Sequence, residues 1–127
     1  MTLILVDTSV WIEHLRSSST TLRGLLRDSL VLTHAMVAGE LALGYLAQRE
    51  TFLHSLTALP QSTSAMDAEV LAFIEGCRLY GRGIGYVDAH LLASTQLTPG
   101  ARLWTRDRRL ASIASEVGVA FTPSSEN

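Results

Sequence analysis

The chain has 127 residues, the size of one compact domain, and at 47% hydrophobic and 17% charged it can fill a core and is not disordered by composition. One cysteine, Cys77, excludes an intrachain disulfide and a cysteine-built zinc site. All ten basic residues are arginine, which excludes lysine Schiff-base chemistry and a phosphate-loop lysine, and the net charge of −2 does not announce a nucleic-acid binder.

The first residues do not read as a signal peptide, because no basic segment precedes the apolar run and Asp7 interrupts it. No stretch has the length of a membrane span, so a cytoplasmic protein with no membrane association is the expectation. The run Leu3-Ile4-Leu5-Val6 is too short for a buried helix and suits a central parallel strand. It ends in Asp7-Thr8-Ser9, and a short helix over 10–16 follows. A carboxylate therefore stands at the carboxyl end of a buried strand, the edge where open α/β sheets bind ligands.

Ser17 to Thr21 is a polar break, with Thr20 or Thr21 able to cap a helix running to about Asp28. Leu30-Val31-Leu32 reads as a second strand, and 35–47 as a helix with Val37, Leu41 and Tyr45 on one face. Glu40 lies inside that otherwise apolar helix, where a charge points at a partner or a cleft. A helix over 49–59 ends at Pro60, and 61–65 is a connection able to hide a strand. Residues 66–80 carry an amphipathic pattern through Val70, Phe73, Ile74 and Cys77, stopped by Gly81. The loop Gly81-Arg82-Gly83-Ile84-Gly85 has no strand before it, so it is no phosphate-binding fingerprint.

A helix over 87–97 follows and begins beside Asp88. A strand over 101–104 leads to Asp107, a helix over 107–117 comes next, and Val119-Ala120-Phe121 is a last strand before a tail that frays from about Thr122. Strands alternating with helices predict a parallel sheet covered on both faces. Asp7, Asp88 and Asp107 each suit a helix start, an ordinary place for Asp. As a set they are harder to explain that way, since strand ends and flanking helices would bring them and Glu40 to one edge. Four carboxylates there would repel one another unless cations neutralise them. All-oxygen ligation suits Mg²⁺ or Mn²⁺, which polarise phosphates and activate water. Arg106, Arg108 and Arg109, beside Asp107, are candidates to hold flanking phosphates.

Asp7-Thr8-Ser9 after a strand, Glu40 four residues before Gly44, Asp88-Ala89 three residues after Gly85, and Thr105-Arg106-Asp107 after a strand together resemble the PIN domain. More narrowly they resemble the VapC toxins of toxin–antitoxin pairs, over essentially the whole chain. The resemblance implies a single domain over 1–127, a three-layer α/β/α sandwich with about five parallel strands. It implies a metal-dependent ribonuclease, a hydrolase in which Asp7, Glu40, Asp88 and Asp107 hold one or two Mg²⁺ or Mn²⁺ ions, with Ser9 and Thr105 as supporting hydroxyls. Hydrolysis would leave a 5′-phosphate and a 3′-hydroxyl. It further implies a homodimer and a VapB-type antitoxin, assembled as a heterotetramer or larger.

Other readings fit less well. A receiver domain needs a late lysine, and a haloacid-dehalogenase-type phosphatase needs a second Asp where Ser9 stands. A metal-ion-dependent adhesion site needs Ser where Trp11 stands, and His14, His34, His54 and His90 are too scattered for metal-free acid–base cleavage. A PIN-like module without activity would lack an acid, and none is missing. Trp11, Trp104, Phe52, Phe73 and Phe121 fall within apolar patterns and are expected in the core, as is Cys77.

Overall fold

Val6 and Leu5 are wholly buried and Ile4 nearly so, which explains why a four-residue apolar run becomes the middle strand of a sheet rather than an edge. In the computed structural model, which describes residues 2–124, this strand is β1 (Leu3–Val6). It leads to α1 (Thr8–Arg16), α2 (Thr20–Arg27) and β2 (Val31–Leu32). Then come α3 (Ala35–Ala42), α4 (Arg49–Thr57), α5 (Asp67–Cys77), α6 (Tyr86–Leu97), β3 (Ala101–Trp104) and α7 (Arg108–Glu116).

The sheet order is β2-β1-β3, all parallel, with Ile4 opposite Val31 and Val6 opposite Trp104. The chain leaves β1 toward one side and later returns to the other. Right-handed crossovers then place the connecting helices on opposite faces, giving the three-layer α/β/α arrangement. The reversal also creates a switch point at the carboxyl ends of β1 and β3. Asp7 follows the first strand and Thr105 the second.

Among the described residues three strands form where about five were expected. The two missing ones survive as single parallel bridges, Thr33 with Gln61 beyond β2 and Leu103 with Ala120 beyond β3. Past Gln61, the N–H of Thr63 donates to Thr98 Oγ1 at 2.9 Å and that of Ala65 to Ser94 Oγ at 3.0 Å, which ties this segment to α6 and its C-cap, while β2 gives way to α3 at Ala35. At the other edge, the Ala120 carbonyl accepts from Arg102 Nη1 at 3.2 Å. The tail expected to fray from Thr122 falls partly on 125–127, outside the described residues.

Two helices are shorter than their apolar patterns suggest. α3 stops at Ala42, where the Arg49 guanidinium donates to the carbonyls of Ala42 and Gly44 and so caps the helix end. Tyr45 is therefore fully exposed instead of sharing a face with the buried Val37 and Leu41. α5 ends at Cys77 because Arg78 adopts a left-handed conformation with φ 53°. Cys77 is exposed, contrary to the packing role its spacing suggested.

The aromatic residues do pack inward. Trp11 meets Phe52 edge to face at 6.0 Å, and Trp104 meets Phe121 at 5.4 Å. The core continues through Leu91, Leu92, Leu103, Leu110 and Ile113. Leu5→Ala is expected to destabilise the fold by about 3 kcal/mol, since it removes a wholly buried side chain from the central strand. A urea midpoint shift with an unchanged slope would register it.

Candidate active site

The end of β1 is fixed by pairing, as Asp7 N–H donates to the Trp104 carbonyl at 2.9 Å. Asp7 is buried, and its Oδ2 accepts from Ser9 Oγ and from Thr105 Oγ1, both at 2.7 Å. Ser9 Oγ in turn accepts the Arg106 N–H at 3.0 Å, and Thr105 Oγ1 accepts the Asp107 N–H at 3.1 Å. Two hydroxyls nearly a hundred residues apart thus lock one oxygen of a buried carboxylate. Both bonds fall on Oδ2, and Oδ1 has no protein partner among the described residues.

The other three acids repeat this division. Exposed Glu40 accepts from Thr8 Oγ1 through Oε1 at 2.6 Å. Half-buried Asp88, in the first turn of α6, accepts the Gly85 N–H through Oδ2 at 3.2 Å. Asp107 is the N-cap of α7, and its Oδ1 accepts from Arg109 N and Leu110 N at 2.9 and 3.1 Å. Both helix starts are places where a carboxylate is favoured by the free N–H groups. In each of the four, one oxygen is held by the protein and the other accepts no protein hydrogen bond among the described residues.

Asp88 reports what the acids do to one another. Burial pushes its carboxyl above the ordinary carboxylate value. The charges of Asp7, Asp107 and Glu40 push it the same way, against the Gly85 N–H bond. No arginine among the described residues forms an ion pair with any of the four acids. They share an electrostatic field, but no three stand close enough, among the described residues, to chelate an ion as they are. A hard divalent cation fits this donor set. It would be met only by oxygen, with oriented carboxylates and no competing cation.

The arginines divide. Arg106 and Arg108 are exposed and form no ion pair among the described residues. Arg109 instead lies against Gly83 in the loop before α6. A Cβ at Gly83 would fall 2.6 Å from Arg109 Nη1 and displace that guanidinium, and the φ of +84° there favours glycine in any case. Arg82 of the same loop forms a bidentate pair with Glu116 of α7. Beside Glu40, a groove of about 430 Å³ is lined by Ile12, Leu15, Leu41, Tyr45 and Leu46, with Arg16 at its margin. Ile12, Leu15 and Tyr45 are exposed apolar side chains there.

Thr8 was not singled out in the sequence. Nothing local marks its meeting with Glu40, 32 positions away. Thr8→Val keeps the shape and removes the donor. It is expected to lower RNA cleavage about tenfold, the cost of losing a bond that orients a functional carboxylate, with an unchanged melting temperature. Wild-type cleavage by this variant would show that Glu40 needs no such restraint.

The sequence model of the PIN domain matches residues 4–116. Over 119 residues the chain is 51% identical to a protein named Ribonuclease VapC32 from Mycobacterium tuberculosis, with the same figures in two strains. The alignment covers 94% of this chain and 96% of that protein. Among solved structures, FitAcB from Neisseria gonorrhoeae shares the fold with a TM-score of 0.59 at 23% identity, covering 93% of this chain and 95% of that one. The chain belongs to the PIN-domain family and, within it, to the VapC ribonuclease toxins.

Proposed function

We propose that the chain, as a single PIN domain over 1–127, is an Mg²⁺- or Mn²⁺-dependent endoribonuclease and the toxin of a toxin–antitoxin pair. The observation that carries this is Asp88, a half-buried carboxylate in the field of three others with, among the described residues, no arginine paired to any of them. A group of acids so arranged opposes folding unless it binds cations. Asp7, Glu40, Asp88 and Asp107 would hold the metal, which when bound supplies Lewis acidity toward a phosphate and a nucleophilic water near neutral pH.

The protein's own groups then have separate tasks. Ser9 and Thr105 fix Asp7, and Thr8 fixes Glu40, so that little reorganisation is needed when charge develops on the scissile phosphate. Arg106 and Arg108 have side chains available for the flanking phosphates, whereas Arg109, the third candidate for RNA binding, contributes through the loop it covers. Hydrolysis leaves a 5′-phosphate and a 3′-hydroxyl. The apolar groove beside Glu40 supports a VapB-type antitoxin covering that side of the site, in an assembly built on a toxin homodimer. The chain would act in the cytoplasm on its RNA substrate; none of the described helices is long and apolar enough to cross a membrane.

The test is RNA cleavage by the purified chain in millimolar EDTA and after excess Mg²⁺. Cleavage should cease in the chelator and return with the metal. Cleavage that ignores the chelator would point to histidine chemistry, and no cleavage with any divalent ion to a binding module.

A further inference from the structure

A fifth acidic position, outside the four, stands behind the site. Asp67 is the first residue of α5, and its Oδ1 accepts two hydrogen bonds from α6, one from Tyr86 OH at 2.7 Å and one from His90 Nε2 at 2.9 Å. Tyr86 and His90 are four residues apart, so they share a face, and their rings meet edge to face at 4.6 Å. Asp88 lies between them, about 200° around the helix from each. The clamp therefore holds the back of the turn whose front carries Asp88.

Apart from the clamp, that turn is held by the Gly85 N–H bond to Asp88 and by the buried Ala89. The segment before it, Gly81 to Gly85, contains three glycines, two of them at positive φ. Asp88 meanwhile lies in the field of the like-charged Asp7, Asp107 and Glu40. From this juxtaposition we propose that Asp67, bonded to Tyr86 and His90 on α6, is a positioning residue that keeps Asp88 aimed into the acid cluster and thereby sets metal affinity. The inference rests on the metal-dependent reading above and adds a residue to it. Removing the clamp would let the first turn of α6 yield to repulsion, so a cation would have to restore the geometry before binding.

The test is calorimetric titration of Mn²⁺ alone into the metal-free full chain, for wild type, Asp67→Ala, Asp67→Asn and Tyr86→Phe, each shown native by circular dichroism. Asp67→Ala should weaken Mn²⁺ about tenfold and Tyr86→Phe by less, in line with the cost of losing groups that orient metal ligands. Asp67→Asn keeps an acceptor oxygen for both donors and should stay near wild type. A purely structural role would lower melting temperature and leave the affinity of the folded protein unmoved. If Asp67→Ala does not fold, Tyr86→Phe decides, since it removes one bond and keeps the ring. Unchanged Mn²⁺ affinity in the folded variants overturns the positioning role. Wild type that binds no Mn²⁺ overturns the metal-dependent reading itself, and the clamp's role with it.

Discussion

Asp7→Asn is expected to reduce RNA cleavage by at least about a hundredfold while leaving the fold intact, because losing a group that merely orients a metal ligand already costs up to that much. Asparagine preserves the shape, and its carbonyl oxygen can accept from Ser9 and Thr105 as Oδ2 does now. The amide nitrogen then replaces Oδ1 and offers donors, where a cation requires an acceptor. The buried strand end, the pairing to Trp104 and the helix start all persist. Cleavage of total RNA beside wild type, with circular dichroism and melting on both, checks the prediction. Retained cleavage by a folded variant would remove Asp7 from the chemistry.

The second large effect concerns stability and runs opposite to activity. Asp88→Asn should abolish cleavage and stabilise the metal-free protein at neutral pH. Burial, then the charges of Asp7, Asp107 and Glu40, raise the folded-state value of Asp88 above that of the unfolded chain. Between those two values the folded state binds more protons than the unfolded one, so stability falls as pH rises through the window and returns as pH falls. At neutral pH the wild type bears the full repulsion and the variant does not. Relief of one unfavourable surface or half-buried charge commonly contributes about 1 kcal/mol, which is about 4 °C in melting temperature for a domain of this size. Asn retains an oxygen for the Gly85 N–H, so the helix start is kept. Melting curves at pH values from about 4 upward, without metal, should show a falling wild-type trend and a flatter variant. Mg²⁺ should then raise the melting temperature of wild type more than that of the variant. Equal stabilities across that range would mean the acids do not feel one another.

Much of this was legible because local signals and the global fold agreed. An apolar tetrapeptide ending in Asp can hardly be anything but a central strand feeding a polar edge, and Leu3–Val6 is that strand. The order of acids, two after parallel strands and two on flanking helices, follows from where each element begins, so their shared field could be anticipated. What escaped was set by contacts that periodicity does not encode. The 35–47 pattern remains apolar past Ala42, but Arg49 ends the helix from outside. Cys77 keeps helical spacing with Val70 and Ile74, yet the chain turns at Arg78 and leaves it exposed. The edge strands at Gln61 and Ala120 shrink to single bridges, a matter of how far neighbouring chains run side by side that apolar spacing does not encode. Arg109 reads as one more charge in a basic run, but it covers Gly83. Thr8 and Asp67 are unremarkable in composition and acquire their roles only through partners 32 and about 20 positions distant.

A crystal of the metal-free chain soaked in Mn²⁺, with anomalous scattering recorded at the manganese edge, addresses the placement of the ion directly. The account predicts a peak at about 2.1 Å from carboxylate oxygens, touching Asp7 and Asp88 and at least one of Glu40 and Asp107. Manganese bound only elsewhere, or four acids left bare at saturating Mn²⁺, would contradict it.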